Sequence, residues 1–134
     1  MEAIRQPAIR RRHLVMVVDD DPDVRDLYVE TLREIGHGVK QAPNGEEAIR
    51  ILTDGEIPCV VLTDVRMPRM DGFEFSRALS KDPELATLPV VLITGDRLLS
   101  YTTPARDKPM SPEELDSLVQ ASCRMHRTPG RALD

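Results

Sequence analysis

The residues able to do chemistry in this chain are mostly acidic, and they stand at the ends of apolar runs. Asp19-Asp20-Asp21 follow "HLVMVV", and Asp64 follows "CVVLT". Thr94-Gly95 close "PVVLIT", and Lys108-Pro109 stand just ahead of a last helical segment. Carboxylates brought close together repel one another and resist shared ionisation. A divalent cation relieves that conflict. Oxygen donors with no neighbouring His or Cys in sequence favour Mg2+ over Zn2+. Asp21, followed by Pro22, reads as a helix cap with proline at the first helical position. For Asp19 and Asp20 the match with Asp64 and Lys108 argues for more than a polar loop.

Four elements of strand length must position these groups: residues 13–18, 38–42, 59–63 and 89–94. Three of the four are continuous apolar runs, the pattern of a parallel sheet covered on both faces. Helical patterns alternate with them. Val24, Leu27, Tyr28, Thr31 and Ile35 repeat at helical spacing, and Gly36 stops the run. Asn44 caps a second helix and Asp71 a third, with Glu74 in the reciprocal capping position. Ser111-Pro112-Glu113-Glu114 opens the last helix as a capping box. Such β-α alternation with right-handed crossovers implies an α/β, doubly wound sheet. Ligands bind such sheets at the carboxyl ends of the strands. That places Asp19, Asp20, Asp64, Thr94 and Lys108 around one crevice.

The bulk composition narrows the function classes. At 134 residues the chain reads as one domain, large enough to fold without a structural metal or disulfide. Aromatic residues are 3% and Trp is absent, so the core must be aliphatic. The net charge of −5 argues against general nucleic-acid binding. Residues 1–12 form a basic arm, read as a solvated leader, and residues 126–134 form a tail. Cys59 and Cys123 show no CxxC spacing and no clustered His. They are expected to be small buried hydrophobes in a reducing compartment. No run reaches the roughly 18 apolar residues of a membrane span, and no signal-peptide core follows the N-terminal charges. A cytoplasmic location is the expectation, with no membrane partner.

Four stretches, in order, carry a family resemblance: "MVVDDDPDVR" (16–25), "VLTDVRMPRMDGFEF" (61–75), "VVLITG" (90–95) and "KPMSPEEL" (108–115). Together they resemble the response-regulator receiver domain of two-component signal transduction, over residues 13–125. The resemblance implies a five-stranded flavodoxin-like sheet of order 2-1-3-4-5. It implies that Asp64 accepts a phosphoryl group from a histidine kinase or histidine phosphotransfer protein. Asp19, Asp20, Asp64 and the backbone carbonyl of Arg66 would hold Mg2+. Thr94 would hydrogen-bond the aspartyl phosphate, Lys108 would pair with a phosphoryl oxygen, and Pro109 would follow a cis peptide bond. The signal would leave through contacts with a downstream protein. Such a protein is not an enzyme in the ordinary sense, although it catalyses its own phosphorylation and hydrolysis.

The chain departs from that pattern between Thr94 and Lys108. Residues 95–107 are too few for a full helix and a full strand, since three helical turns alone take about eleven residues. The fourth helix is therefore expected to be reduced or missing, and Pro104 confines the fifth strand to a short edge piece. The aromatic residue expected shortly before the lysine is replaced by Ala105-Arg106-Asp107, with Tyr101 the nearest ring. A face opened in this way suits a partner or a homodimer. Arg66 and Asp96 stand two residues after Asp64 and Thr94, at the mouth of the site, either as two unconnected surface charges or as an ion pair that limits water access. Two other functions fit parts of the pattern. One is a phosphorylation-independent interaction module of the same fold. The other is a Mg2+-dependent phosphohydrolase, which needs a carboxylate where Arg66 stands.

Overall fold

Five short parallel strands form one sheet in the order β2-β1-β3-β4-β5 in the computed structural model, which describes residues 12–95 and 105–125. The strands are β1 (Leu14–Val18), β2 (Gly38–Ala42), β3 (Val60–Asp64), β4 (Val90–Thr94) and β5 (Arg106–Asp107). The helices are α1 (Pro22–Ile35), α2 (Gly45–Thr53), α3 (Gly72–Ser80) and α4 (Pro112–Met125). This is the doubly wound order expected from the sequence. β5 is reduced to two residues beside Ile93 and Thr94 on β4, as the proline-restricted edge required. The expectation for the helix after β4, and those for Asp96, Tyr101 and the two terminal segments, lie outside the described residues.

β1, β3 and β4 are apolar along most of their length because both faces of the sheet are covered there. Side chains alternate across a strand, and on β1 the alternation feeds two separate cores. Val15 and Val17 join Val60, Leu62 and Ile93 against Tyr28, Val29 and Leu32 of α1 and Leu115 and Val119 of α4. Met16, Val18 and Val61 face the other way, against Ala48 and Leu52 of α2 and Phe75 and Leu79 of α3. Apart from Phe75, the largest fully buried side chain, and Tyr28, the two cores are built mainly of aliphatic side chains, as the composition required.

The caps form where the sequence places them. Asp21 accepts from the backbone N–H groups of Asp23 and Val24, and Asn44 accepts from Glu47 N–H. Asp71 and Glu74 complete a reciprocal box at α3, and Ser111 and Glu114 do so at α4. Gly36 ends α1 at φ 117°, a left-handed conformation that a residue with a Cβ adopts only under strain. The phase of α1 differs from the expected one. Leu27 is 54% exposed, while Val29 and Leu32 are buried. The helix is rotated about its axis so that its inner stripe runs through Tyr28, Val29 and Leu32.

The two cysteines are not the independent buried hydrophobes expected. Cys59 and Cys123 are joined by a disulfide across 64 residues of sequence. Cys59 precedes β3, and α4 runs antiparallel to the strand direction on that face, so its last turns return to the start of β3. His13 stands in the same cluster. No described helix is long and apolar enough to cross a membrane.

Candidate functional site

At the carboxyl edge of the sheet, β1 and β3 are adjacent and each ends in a carboxylate. Asp19 is buried, Asp64 half-buried and Asp20 exposed, and one carboxylate oxygen of each lies within 4.8 Å of the others. Lys108 reaches into this group. Its Nζ donates to Asp19 Oδ2 at 2.7 Å and lies 3.2 Å from Asp64 Oδ1. The Lys108–Pro109 peptide bond is cis. Thr94 is buried at the end of β4, whose Ile93 pairs in register with Asp64. Its carbonyl accepts from the Lys108 backbone N–H at 2.8 Å, so the threonine and the lysine are tied through the main chain. Arg66 follows Asp64 by two residues with an exposed side chain.

Several residues that sequence reasoning left in other roles hold these groups in place. Arg25 donates through Nη1 to the Asp19 carbonyl at 2.7 Å and through Nε to Gln41 at 3.1 Å, fixing the end of β1. Asp19 Oδ1 accepts from the Asp21 N–H at 2.9 Å, which aims the carboxylate across the crevice. Tyr28, read only as part of an apolar stripe, is buried, and its hydroxyl accepts from the Met110 N–H at 3.3 Å. It thereby pins the loop that carries Lys108. Burial holds the Tyr28 phenol above its ordinary range, so it stays uncharged. The signal for this role is faint: a lone Tyr among aliphatic core positions, whose hydroxyl must find a partner.

Gly72 is required by close approach. A Cβ at this position would stand 2.5 Å from the Asp64 carbonyl oxygen and 3.0 Å from Val65 Cα, while the Gly72 N–H donates to the Val65 carbonyl at 2.7 Å. These are backbone atoms, so relief requires the turn after Asp64 to move. Gly72→Ala should destabilise the fold by about 1–3 kcal/mol, the usual range for overpacking a tight contact. Urea denaturation measures the loss.

The electrostatics of the crevice are unbalanced. Burial raises the Asp64 carboxyl above the ordinary carboxylate range, and the charge of Asp19 raises it further, against a partial offset from Lys108. Burial alone would lower the Lys108 ammonium. The hydrogen bond to Asp19 and the charges of Asp19 and Asp64 outweigh it, so its pKa is raised and it is charged at neutral pH. Three carboxylates face one ammonium. At Asp64, burial first and the charge of Asp19 second outweigh what the one lysine offsets. The donor set, all oxygen and open on the Asp20 side, fits a hard divalent cation such as Mg2+. His13 and the cysteines lie elsewhere in the molecule, beside the start of β3.

A doubly wound parallel sheet with an acidic pocket and a lysine at its carboxyl edge defines a class: α/β domains of the flavodoxin-like order. Within that class the chain belongs to the response regulator receiver domain family, whose model it matches over residues 15–120. A 14.6 kDa protein of Leptolyngbya boryana is 40% identical, over 81% of this chain and 88% of that protein. The response regulator Rre1 of Synechocystis is 35% identical over 79% of this chain, which spans about half of that protein, 49% of its length. Among solved structures, the receiver domain of a signal transduction histidine kinase from Syntrophus aciditrophicus superposes with a TM-score of 0.74. It is 30% identical and covers 87% of this chain and 94% of that one. The chemotaxis protein CheY4 of Vibrio cholerae gives 0.70 at 28% identity, covering 84% of this chain and 99% of that one.

Proposed function

We propose that this chain is a phosphorylation-dependent signalling switch in which Asp64 accepts a phosphoryl group from a phosphohistidine on a histidine kinase or histidine phosphotransfer protein. An Asp64 carboxylate oxygen forms the new P–O bond as the P–N bond to the donor imidazole breaks. The imidazole leaves with the bonding pair and takes a proton. A carboxylate is a modest nucleophile towards phosphorus, so the protein's contribution is alignment and charge neutralisation. Lys108 carries a positive charge 3.2 Å from Asp64 and pairs with the incoming phosphoryl oxygens. Asp19, Asp20, Asp64 and the Arg66 backbone carbonyl would hold Mg2+, which when bound neutralises charge on the phosphoryl oxygens.

The product carries nearly two negative charges beside Asp19 in place of the single carboxylate charge, and new contacts must satisfy them. The Thr94 hydroxyl, one strand away, is the neutral donor for that purpose. Movement of the chain after Thr94 towards the phosphate would change the face beside β5 and α4, where a downstream protein binds. Residues 13–125 act as the receiver unit, and the setting is the cytoplasm. Phosphorylation and hydrolysis are both catalysed by the same site.

The meeting of Asp64 with Asp19 and Lys108 supports this reading above all. Its test is incubation with Mg2+ and phosphoramidate, followed by intact-mass measurement. One added phosphoryl group per chain, released by hydroxylamine, is expected. A chain that takes up no phosphoryl group would instead act as a phosphorylation-independent interaction module.

A further inference from the structure

The end of the molecule opposite Asp64 holds a second group of reactive side chains that the phosphoryl chemistry does not use. Cys59 and Cys123 are disulfide-bonded and each 7% exposed, so the bond lies at the rim of the core. A ring nitrogen of His13 lies within 4.8 Å of both sulfurs. This imidazole is held in place. Its Nε2 is 3.1 Å from Gln120 Oε1 on α4, and its backbone N–H donates to His37 Nδ1 at 3.1 Å. His37 Nδ1 is therefore an acceptor, which puts the ring proton on Nε2, where it donates to buried Asp116 Oδ1 at 3.0 Å. Asp116 also accepts from Gln120 Nε2 at 3.3 Å. A polar network thus runs from β1 to α4 and fixes His13 beside the sulfurs.

We propose that Cys59 and Cys123 form a reversible redox modification site, with His13 as its positioning base, and that its state sets how firmly α4 is clamped to the sheet. The physiological reach of this proposal rests on the cytoplasmic setting proposed above, where disulfides are usually transient and redox-sensing, not structural. The reductant is a dithiol. Its thiolate attacks one sulfur, the second thiol displaces the mixed disulfide, and the products are two cysteine thiols and the oxidised dithiol. Two electrons and two protons enter the chain. An imidazole beside the pair gives a proton to the cysteine sulfur that leaves on reduction and takes one from the cysteine thiol that attacks on reoxidation, which speeds both directions. The bond joins the residue before β3, the strand that ends in Asp64, to the last buried position of the Leu115, Val119 and Cys123 stripe. The core between the sheet, α2 and α3 contains neither cysteine, and the other members of the first core pack around the pair, so reduction frees the end of α4 while the sheet stays folded.

Thiol trapping on the full chain tests this. The protein is equilibrated at neutral pH in graded ratios of reduced to oxidised dithiothreitol, quenched in acid, alkylated and weighed. A single transition from zero to two alkylated thiols is expected. His13→Gln should slow reduction and reoxidation by roughly fivefold or more at neutral pH, with the difference vanishing at alkaline pH where thiols ionise unaided. Amide exchange at residues 119–125 should quicken about tenfold or more on reduction, as local opening becomes easier. Cys123→Ser should match the reduced wild type under oxidising conditions. A bond that resists excess dithiothreitol in the folded protein, or thiols that never pair on oxidation, would overturn the site. Equal exchange in the two states would overturn the clamp. None of these readouts uses a phosphodonor, so they stand apart from the fate of Asp64.

Discussion

Asp64→Asn should leave the chain unable to take up a hydroxylamine-labile phosphoryl group, and should also make it more stable at neutral pH. The first effect is the larger: removing a nucleophile costs roughly a thousandfold or more, below detection in a labelling assay. The second follows from which electrostatic effect wins at this carboxylate. Lys108 attracts it, but burial and Asp19 together push its pKa above the ordinary carboxylate range. A carboxyl with a raised pKa in the folded state binds its proton more tightly there than in the unfolded chain. Stability is then greatest below the ordinary carboxylate range and falls as pH rises through the raised value. An amide of the same shape still accepts from the Val65 N–H, now at 3.0 Å from Asp64 Oδ1, and carries no charge. The gain should be on the order of 1 kcal/mol at neutral pH in the absence of divalent ions. It should shrink in acid, where both proteins are uncharged at this position, and shrink when Mg2+ is added. Thermal unfolding across pH, with and without Mg2+, measures both trends. A variant that loses labelling but is less stable at neutral pH would show that Lys108 outweighs the repulsion.

The site was legible in the sequence because its residues are tied to strand ends. Once continuous apolar runs alternate with capped helices, the handed crossovers bring Asp19, Asp64 and Thr94 to one edge, whatever the details of packing. Lys108 joins them because the capping box at Ser111 fixes where α4 begins. What was hidden depends on packing at long range. The rotation of α1 that buries Val29 and exposes Leu27 is decided by the neighbours of the helix, and the periodicity admits both phases. Arg25 and Tyr28 have roles that appear only when β2 and the loop after β5 lie beside α1. The Cys59–Cys123 pair was misread for the same reason. Nothing in their spacing shows that the far end of α4 returns to the start of β3, or that His13 stands beside them.

Lys108→Ala should affect the same crevice in the opposite sense from Asp64→Asn. The lysine bridges two carboxylates, 2.7 Å from Asp19 and 3.2 Å from Asp64, with 16% of its side chain exposed. Removing it leaves buried Asp19 and half-buried Asp64 facing each other without a counter-charge. Labelling by phosphoramidate should slow by about 100- to 1,000-fold, the usual loss when one donor to developing charge is removed. Stability should fall by about 1–3 kcal/mol at neutral pH, because charged groups lose their partner without regaining water. The raised Lys108 pKa fixes the pH window. Its stabilisation is present throughout the range below the ordinary lysine pKa and is lost only as pH rises through the higher folded value. The difference between wild type and Lys108→Ala should therefore hold from neutral to mildly alkaline pH, and narrow in acid as Asp64, with its raised pKa, takes up a proton. Asp64→Asn in the Lys108→Ala background should recover part of the loss, since one of the two facing charges is gone. A coupling of roughly 0.5–3 kcal/mol is the range for groups in direct contact. Strictly additive effects would mean that Lys108 is held by Asp19 alone, and the ammonium would then act on the phosphoryl group without first neutralising its acceptor.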